Sequence, residues 1–111
     1  MKKFKINKTF VGSECKTYFI ADIAANFDGN LKRAKKLIEL AAKSGADAAK
    51  FQNFKAETIV SNKSFLSLKT QLSHQSKWKK SVFEVYKKAE LPLEWTLELK
   101  ETCYKFGIDY F

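Results

Sequence analysis

The hydrophobic pattern is strongest over residues 18–25, an eight-residue apolar run broken only by Asp22 and followed by an Asp28-Gly29 turn. Strand side chains alternate between faces, so Ile20, Asp22, Ala24 and Asn26 are predicted on one face and Phe19, Ala21, Ile23 and Ala25 on the other. A second apolar run, residues 48–54, sets Ala48, Lys50, Gln52 and Phe54 opposite Ala49, Phe51 and Asn53. Between the two runs Leu31, Ala34, Leu37, Ile38 and Ala41 recur at helical spacing. Asn30 is a suitable N-cap and Gly45 a C-terminal stop, which predicts a helix over residues 31–43. Two strands joined by such a helix form a crossover that is almost always right-handed, with the strands parallel. A buried carboxylate is costly unless paired, so Asp22 and Lys50 are expected to point inward together from neighbouring strands.

Residues 1–17 alternate weakly around Asn7-Lys8 and Gly12-Ser13, which predicts a short β-hairpin or a loose lead-in. Residues 55–77 are polar, rich in Ser, Lys and Gln, and lack a clear period. A long connection after a strand's C-terminal end suits a substrate loop in a β/α fold. Trp78, Val82, Val85, Tyr86 and Ala89 then form a helical stripe. Pro92 opens a further helix, with Trp95, Leu99, Cys103 and Phe106 on one face up to Gly107. Both tryptophans are assigned to helix core. Residues 108–111 begin a third strand, which would leave a parallel sheet with a bare edge. The expected architecture is therefore α/β within one domain: a lead-in over 1–17, then two βα units and the start of a third strand over 18–111, as part of a larger fold.

Composition narrows the class without naming a function. With 45% hydrophobic and 14% aromatic residues, one proline and four glycines, the chain is globular rather than disordered or collagen-like. No window approaches the ~18–20 consecutive apolar residues of a transmembrane helix. The lysine-rich start has no apolar segment behind it, so a cytoplasmic protein without membrane contact is expected. Cys15 and Cys103 stand far apart with no Cys or His at metal-ligand spacing, as free thiols do. The net charge of +9 raises the alternative of a small basic module for an anion such as nucleic acid. Its lysines are scattered rather than gathered in one block, which disfavours nucleic acid as a partner.

Asp22 and Lys50 are the leading candidates for chemistry: a carboxylate can orient hydroxyls or take a proton, and a neighbouring ammonium can hold a carboxylate or phosphate. Asn26 and Gln52, nearer the strand ends, are candidate hydrogen-bond partners for a substrate. His74, the single histidine, is a candidate substrate contact in the long connection. Asp28 serves the turn first. The sequence contains no phosphate-binding loop, dinucleotide motif, nucleophile-histidine arrangement or metal cluster.

These residues resemble the sialic acid synthase family, which comprises the N-acetylneuraminate, legionaminic acid and pseudaminic acid synthases. The family's strand ending in a carboxylate, then Ile-Gly-x-Asn-His-x-Gly, stands here as residues 19–29. Its Ala-Gly-Ala-Asp followed by Val-Lys-Phe-Gln is matched by residues 44–52, and residues 55–61, 81–86 and 99–111 follow in the family's order. The resemblance implies part of a (β/α)8 barrel that condenses phosphoenolpyruvate with an N-acetylated hexose such as N-acetylmannosamine. Phosphate is released, and a divalent metal, manganese or magnesium, assists. By position, Lys50 resembles the lysine that holds phosphoenolpyruvate, and Asp22 stands where a glutamate usually meets the reacting groups. Gln52 belongs to the same site, and the connection carrying His74 to the sugar pocket. Phe27 stands where the motif usually has histidine. The family's metal-binding histidines would lie beyond Phe111. The resemblance therefore implies that these residues supply no metal ligand and are inactive alone; a complementary chain, or a homo-oligomer in which two unfinished sheets cover each other's edges, is the expected macromolecular partner.

Overall fold

A computed structural model describes residues 2–67 and 77–111. An antiparallel hairpin comes first, β1 (Phe4–Ile6) paired with β2 (Thr9–Val11). Asn7 turns the chain with a positive φ of 48°, a conformation that asparagine tolerates better than most side chains. A three-stranded parallel sheet follows, in the order β3 (Ile20–Ala24), β4 (Ala48–Phe51), β5 (Asp109–Tyr110). Helix α1 (Leu31–Lys43) connects β3 to β4. Between β4 and β5 lie α2 (Ala56–Ile59), α3 (Asn62–Ser67), α4 (Val82–Ala89) and α5 (Thr96–Lys105), the last entered through a 3-10 turn at Leu93–Trp95.

α1 forms where the apolar spacing predicts it. The Asn30 side chain accepts from the backbone N–H of Arg33 at 2.9 Å, and Ala34, Ile38 and Ala41 are buried against the sheet. Gly45, at φ +87°, releases the chain into β4. On the same side of the sheet, α5 buries Leu99 and Cys103. Phe27, Ile38, Leu91, Leu99 and Cys103 are the largest fully buried side chains. The Phe27 ring lies 6.2 Å from Phe51 and 6.1 Å, edge-on, from Trp95. Each such side chain contributes about 1.5–3 kcal/mol through burial, so this cluster holds both helices to the sheet. Burial pushes the Cys103 thiol up to about 11, with nearby Asp109 adding to the shift.

The N-terminal end of the sheet is tied to the hairpin by polar contacts. Asp109 accepts from the Tyr18 hydroxyl at 2.5 Å and from Asn7 Nδ2 at 2.9 Å, while Asp47 accepts from the backbone N–H of Phe19 at 2.8 Å. Burial, then the Asp109 carboxylate, pushes the Tyr18 phenol above its usual range. The lead-in is thus docked rather than loose.

Several sequence expectations are corrected. The connection after Phe54 contains α2 and α3 rather than being without structure. Trp78 precedes the helix it was assigned to: α4 begins at Val82, where Ser81 and Glu84 form a reciprocal capping box. Trp78 packs its ring 6.3 Å from Tyr86, which also meets Phe54 at 5.8 Å. Phe54 therefore joins α4 rather than continuing the strand face of Lys50. His74 lies outside the described residues.

Phe27 occupies a fully apolar niche. Replacing it with histidine leaves a polar ring without partners there. Phe27→His is expected to lower unfolding stability by about 2–4 kcal/mol in denaturant titration, whereas Phe27→Leu should lose less.

Candidate functional site

The parallel register places Asp22 directly beside Lys50, and the lysine Nζ lies 3.3 Å from both carboxylate oxygens. This pairing is the one the period-two pattern predicts. Its environment is not: the Lys50 and Asp22 side chains are 48% and 59% exposed, and the described residues include no buried charged or polar residue. The reason is geometric. Ala49 and Phe51 turn toward the face covered by α1 and α5, so Lys50 and Asp22 turn to the opposite face, where the described residues bury Ala48 but leave the charged pair about half exposed. At this exposure the pair adds about 0–1 kcal/mol to stability, so folding alone gives little reason for it.

Asn26 does not share that face. The β3–β4 register shifts between Asp22 and Ala24, and Ala24 adopts a positive φ of 51°. This irregularity breaks the alternation. Residues 25–29 form a turn in which Asn26 Nδ2 donates to the Ile23 carbonyl at 3.0 Å. The Asn26 carbonyl accepts from Arg33 Nε at 2.8 Å, and Arg33 also reaches Asp28 at 3.6 Å. Asn26 and Asp28 thus build the turn that starts α1. Gln52 follows β4 immediately, exposed, with its backbone N–H donating to the Ala24 carbonyl at 3.1 Å. Of the predicted set, the structure brings together Asp22 and Lys50, and fixes Gln52 by its main chain at the same strand ends.

A residue missed by sequence reasoning shapes the segment beyond. Glu90 accepts from the backbone N–H of Ala56 at 2.7 Å, capping α2 from a distance of 34 residues, and lies 3.3 Å from Lys87 and 4.0 Å from Lys55. Lys87 also bonds Glu57 at 2.6 Å. This knot fastens the chain leaving β4 to α4. The Ala56 hydrogen bond, supported by Lys87, holds the Glu90 carboxyl below its usual range. No local pattern announces such a cap, because its partner is remote in sequence.

Among the described residues no three His, Cys, Asp or Glu side chains come together as a metal site. The donor set present does not fit a divalent ion. No helix in the described residues is long and apolar enough to cross a membrane.

A parallel β/α unit with a lysine–carboxylate pair on its bare face defines the class to which comparison with known proteins can be put. The chain belongs to the NeuB family, which it matches over residues 37–111. It is 36% identical over 103 residues to the spore coat polysaccharide biosynthesis protein SpsE of Bacillus subtilis, covering 93% of this chain and 26% of that protein. It is 42% identical over 87 residues to the N,N'-diacetyllegionaminic acid synthase of Campylobacter jejuni, covering 76% and 25%. The crystal structure of N-acetylneuraminic acid synthetase from Leptospira borgpetersenii, a complex with citrate, superposes with a TM-score of 0.77 at 25% identity, over 99% of this chain and 33% of that one. The chain spans about a quarter of the length of the curated relatives it matches.

Because the folded state lowers the Glu90 pKa, its contribution is fully present above the ordinary value of 4.5 and is lost as pH falls through the lowered folded value. Thermal melts from about pH 6 down to about pH 3 should show the midpoint falling. In Glu90→Gln the fall over the same window should be shallower, and the midpoint at neutral pH should be lower than in the parent.

Proposed function

We propose that this chain is a β/α portion of a nonulosonic acid synthase barrel, and that its bare sheet face forms part of the site where phosphoenolpyruvate condenses with an N-acetylated hexose. The observation that carries the reading is the Asp22–Lys50 pair, registered across β3 and β4 on the face without helices. Family membership and the sugar-acid synthases among the relatives support it.

In this reading the Lys50 ammonium binds the anionic end of phosphoenolpyruvate. As the anion arrives, it takes over the lysine's hydrogen bonds, which frees Asp22 to accept one from a sugar hydroxyl. Opposite charge at this distance lets the lysine exchange partners without crossing a large barrier, since both groups remain wet. Gln52, held at the strand ends, supplies an amide to the same ligand. His74 is assigned to the sugar pocket by family position alone. The metal that family resemblance implies would be held by residues outside this set, and nothing in the Asp22–Lys50 arrangement substitutes for it. We therefore assign these residues to substrate binding, and the chain by itself to inactivity.

Amide and side-chain NMR with phosphoenolpyruvate tests this directly. Shift changes should centre on Asp22, Lys50 and Gln52, with affinity of about 1 mM, typical of a partial site. Lys50→Met should abolish them while the rest of the spectrum stays in place. Unmoved resonances at saturating ligand, or equal binding by Lys50→Met, would overturn the assignment. With manganese and both substrates supplied, no product should form; measurable turnover would refute the inactivity of the isolated chain.

A further inference from the structure

Helix α4 touches the chain at the C-terminal ends of both strands that carry the charged pair. On the β4 side, the segment leaving the strand has three anchors. The Gln52 N–H donates to the Ala24 carbonyl at 3.1 Å, the Phe54 ring meets Tyr86 at 5.8 Å, and the Ala56 N–H donates to Glu90 at 2.7 Å. Tyr86 lies on α4 and Glu90 is its C-cap. On the β3 side, Val85, Lys88 and Ala89 face Ala25 and Asp28 across a cleft of about 290 Å³, and a Cβ on Gly29 would stand 3.7 Å from the Lys88 carbonyl oxygen. α4 therefore braces the turn after β3 and the connection after β4 together.

We propose that Glu90 is a positioning residue for anion binding at Lys50 and Gln52: it fixes the exit from β4 and thereby aims the Gln52 amide at the ligand that Lys50 holds. The inference rests on the reading of Asp22, Lys50 and Gln52 as a phosphoenolpyruvate site, and Glu90 itself touches no ligand. The Gln52 side chain is exposed and makes no hydrogen bond to the described residues, so its direction is set by its main chain. That main chain runs into α2, which has four residues, and so short a helix is not stable on its own. Its path is set from outside. The Glu90 side chain, 12% exposed, gathers the Ala56 N–H together with two ammonium groups, Lys87 at 3.3 Å and Lys55 at 4.0 Å. Asn30 and Ser81 cap their helices from the adjacent sequence, whereas the acceptor for Ala56 comes from the element that also braces the β3 turn.

Backbone amide exchange and phosphoenolpyruvate titration of the full chain test this together. In Glu90→Met, exchange at Ala56 and Val60 should quicken about tenfold while the β3–β4 ladder amides keep the parent rate. Affinity for phosphoenolpyruvate should fall about fivefold or more, with the Gln52 shift change lost and the Lys50 shift change kept. Glu90→Gln, which keeps an acceptor for the Ala56 N–H, should recover most of that loss. A double-mutant cycle separates positioning from mere stability. In a Gln52→Ala background Glu90→Met should weaken binding no further, whereas a purely structural role would weaken it equally in both backgrounds. If Glu90→Met does not fold, Lys87→Met, at an exposed position, should show the same pattern at about twofold. Unchanged affinity in whichever variant folds, or equal loss with and without Gln52, would overturn the positioning role while leaving the site reading in place. No binding by the parent chain would overturn the site reading, and this proposal with it.

Discussion

The structure depends on one constraint: β3, β4 and β5 run parallel, and every helix that packs on them does so from one side. Parallel strands need crossovers, and right-handed crossovers send α1 and α5 to a common face. That face takes Ile23, Ala49 and Phe51 into the core. The strand pleat then sends Asp22 and Lys50 to the other face, whatever those residues do there. The charged pair is thus positioned by the same alternation that builds the core.

At the strand ends the two requirements meet. The turn from β3 to α1 departs from regular strand geometry at Ala24 and places Phe27 beneath Phe51 and Trp95, while Asn26, Asp28 and Arg33 close the turn from outside. The apolar side of this turn secures α1 and the polar side secures the turn itself. Glu90 does the corresponding task after β4, where it satisfies the first backbone donor of α2. An unpaired donor at that helix start would be costly. Its carboxylate links the connection after β4 to the helix that leads into α5. Two loops at the C-terminal ends of the strands are therefore held by contacts that are not part of the charged pair.

What was legible in the sequence follows from the range of the interactions. α1, with its Asn30 cap and Gly45 stop, and the strands beside it rest on local periodicity, and the structure agrees with them. The adjacency of Asp22 and Lys50 was legible because register in a short βαβ unit leaves little freedom. Asn26 was misplaced because alternation was extended through a bulge that no residue type marks: Ala24 is not the residue that a positive φ favours. Glu90, Asp109 and Tyr18 were invisible for a different reason. Their partners lie 34, 102 and 91 residues away, so only the folded chain brings them together. The burial expected for the charged pair failed because pairing was inferred from cost in a dry interior, whereas the described residues leave Asp22 and Lys50 about half exposed.

That exposure bears on how the pair can act. In water an ion pair at 3.3 Å is weak, and an arriving anion competes with Asp22 for Lys50 on nearly equal terms. Under a covering layer the same contact would be several times stronger, and an anion with two charges would then displace the single carboxylate by a wider margin. Discrimination between a phosphate-bearing substrate and a simple carboxylate is therefore not a property of Asp22 and Lys50 alone. Under the proposed reading it requires a further layer over Asp22 and Lys50, which are about half exposed here.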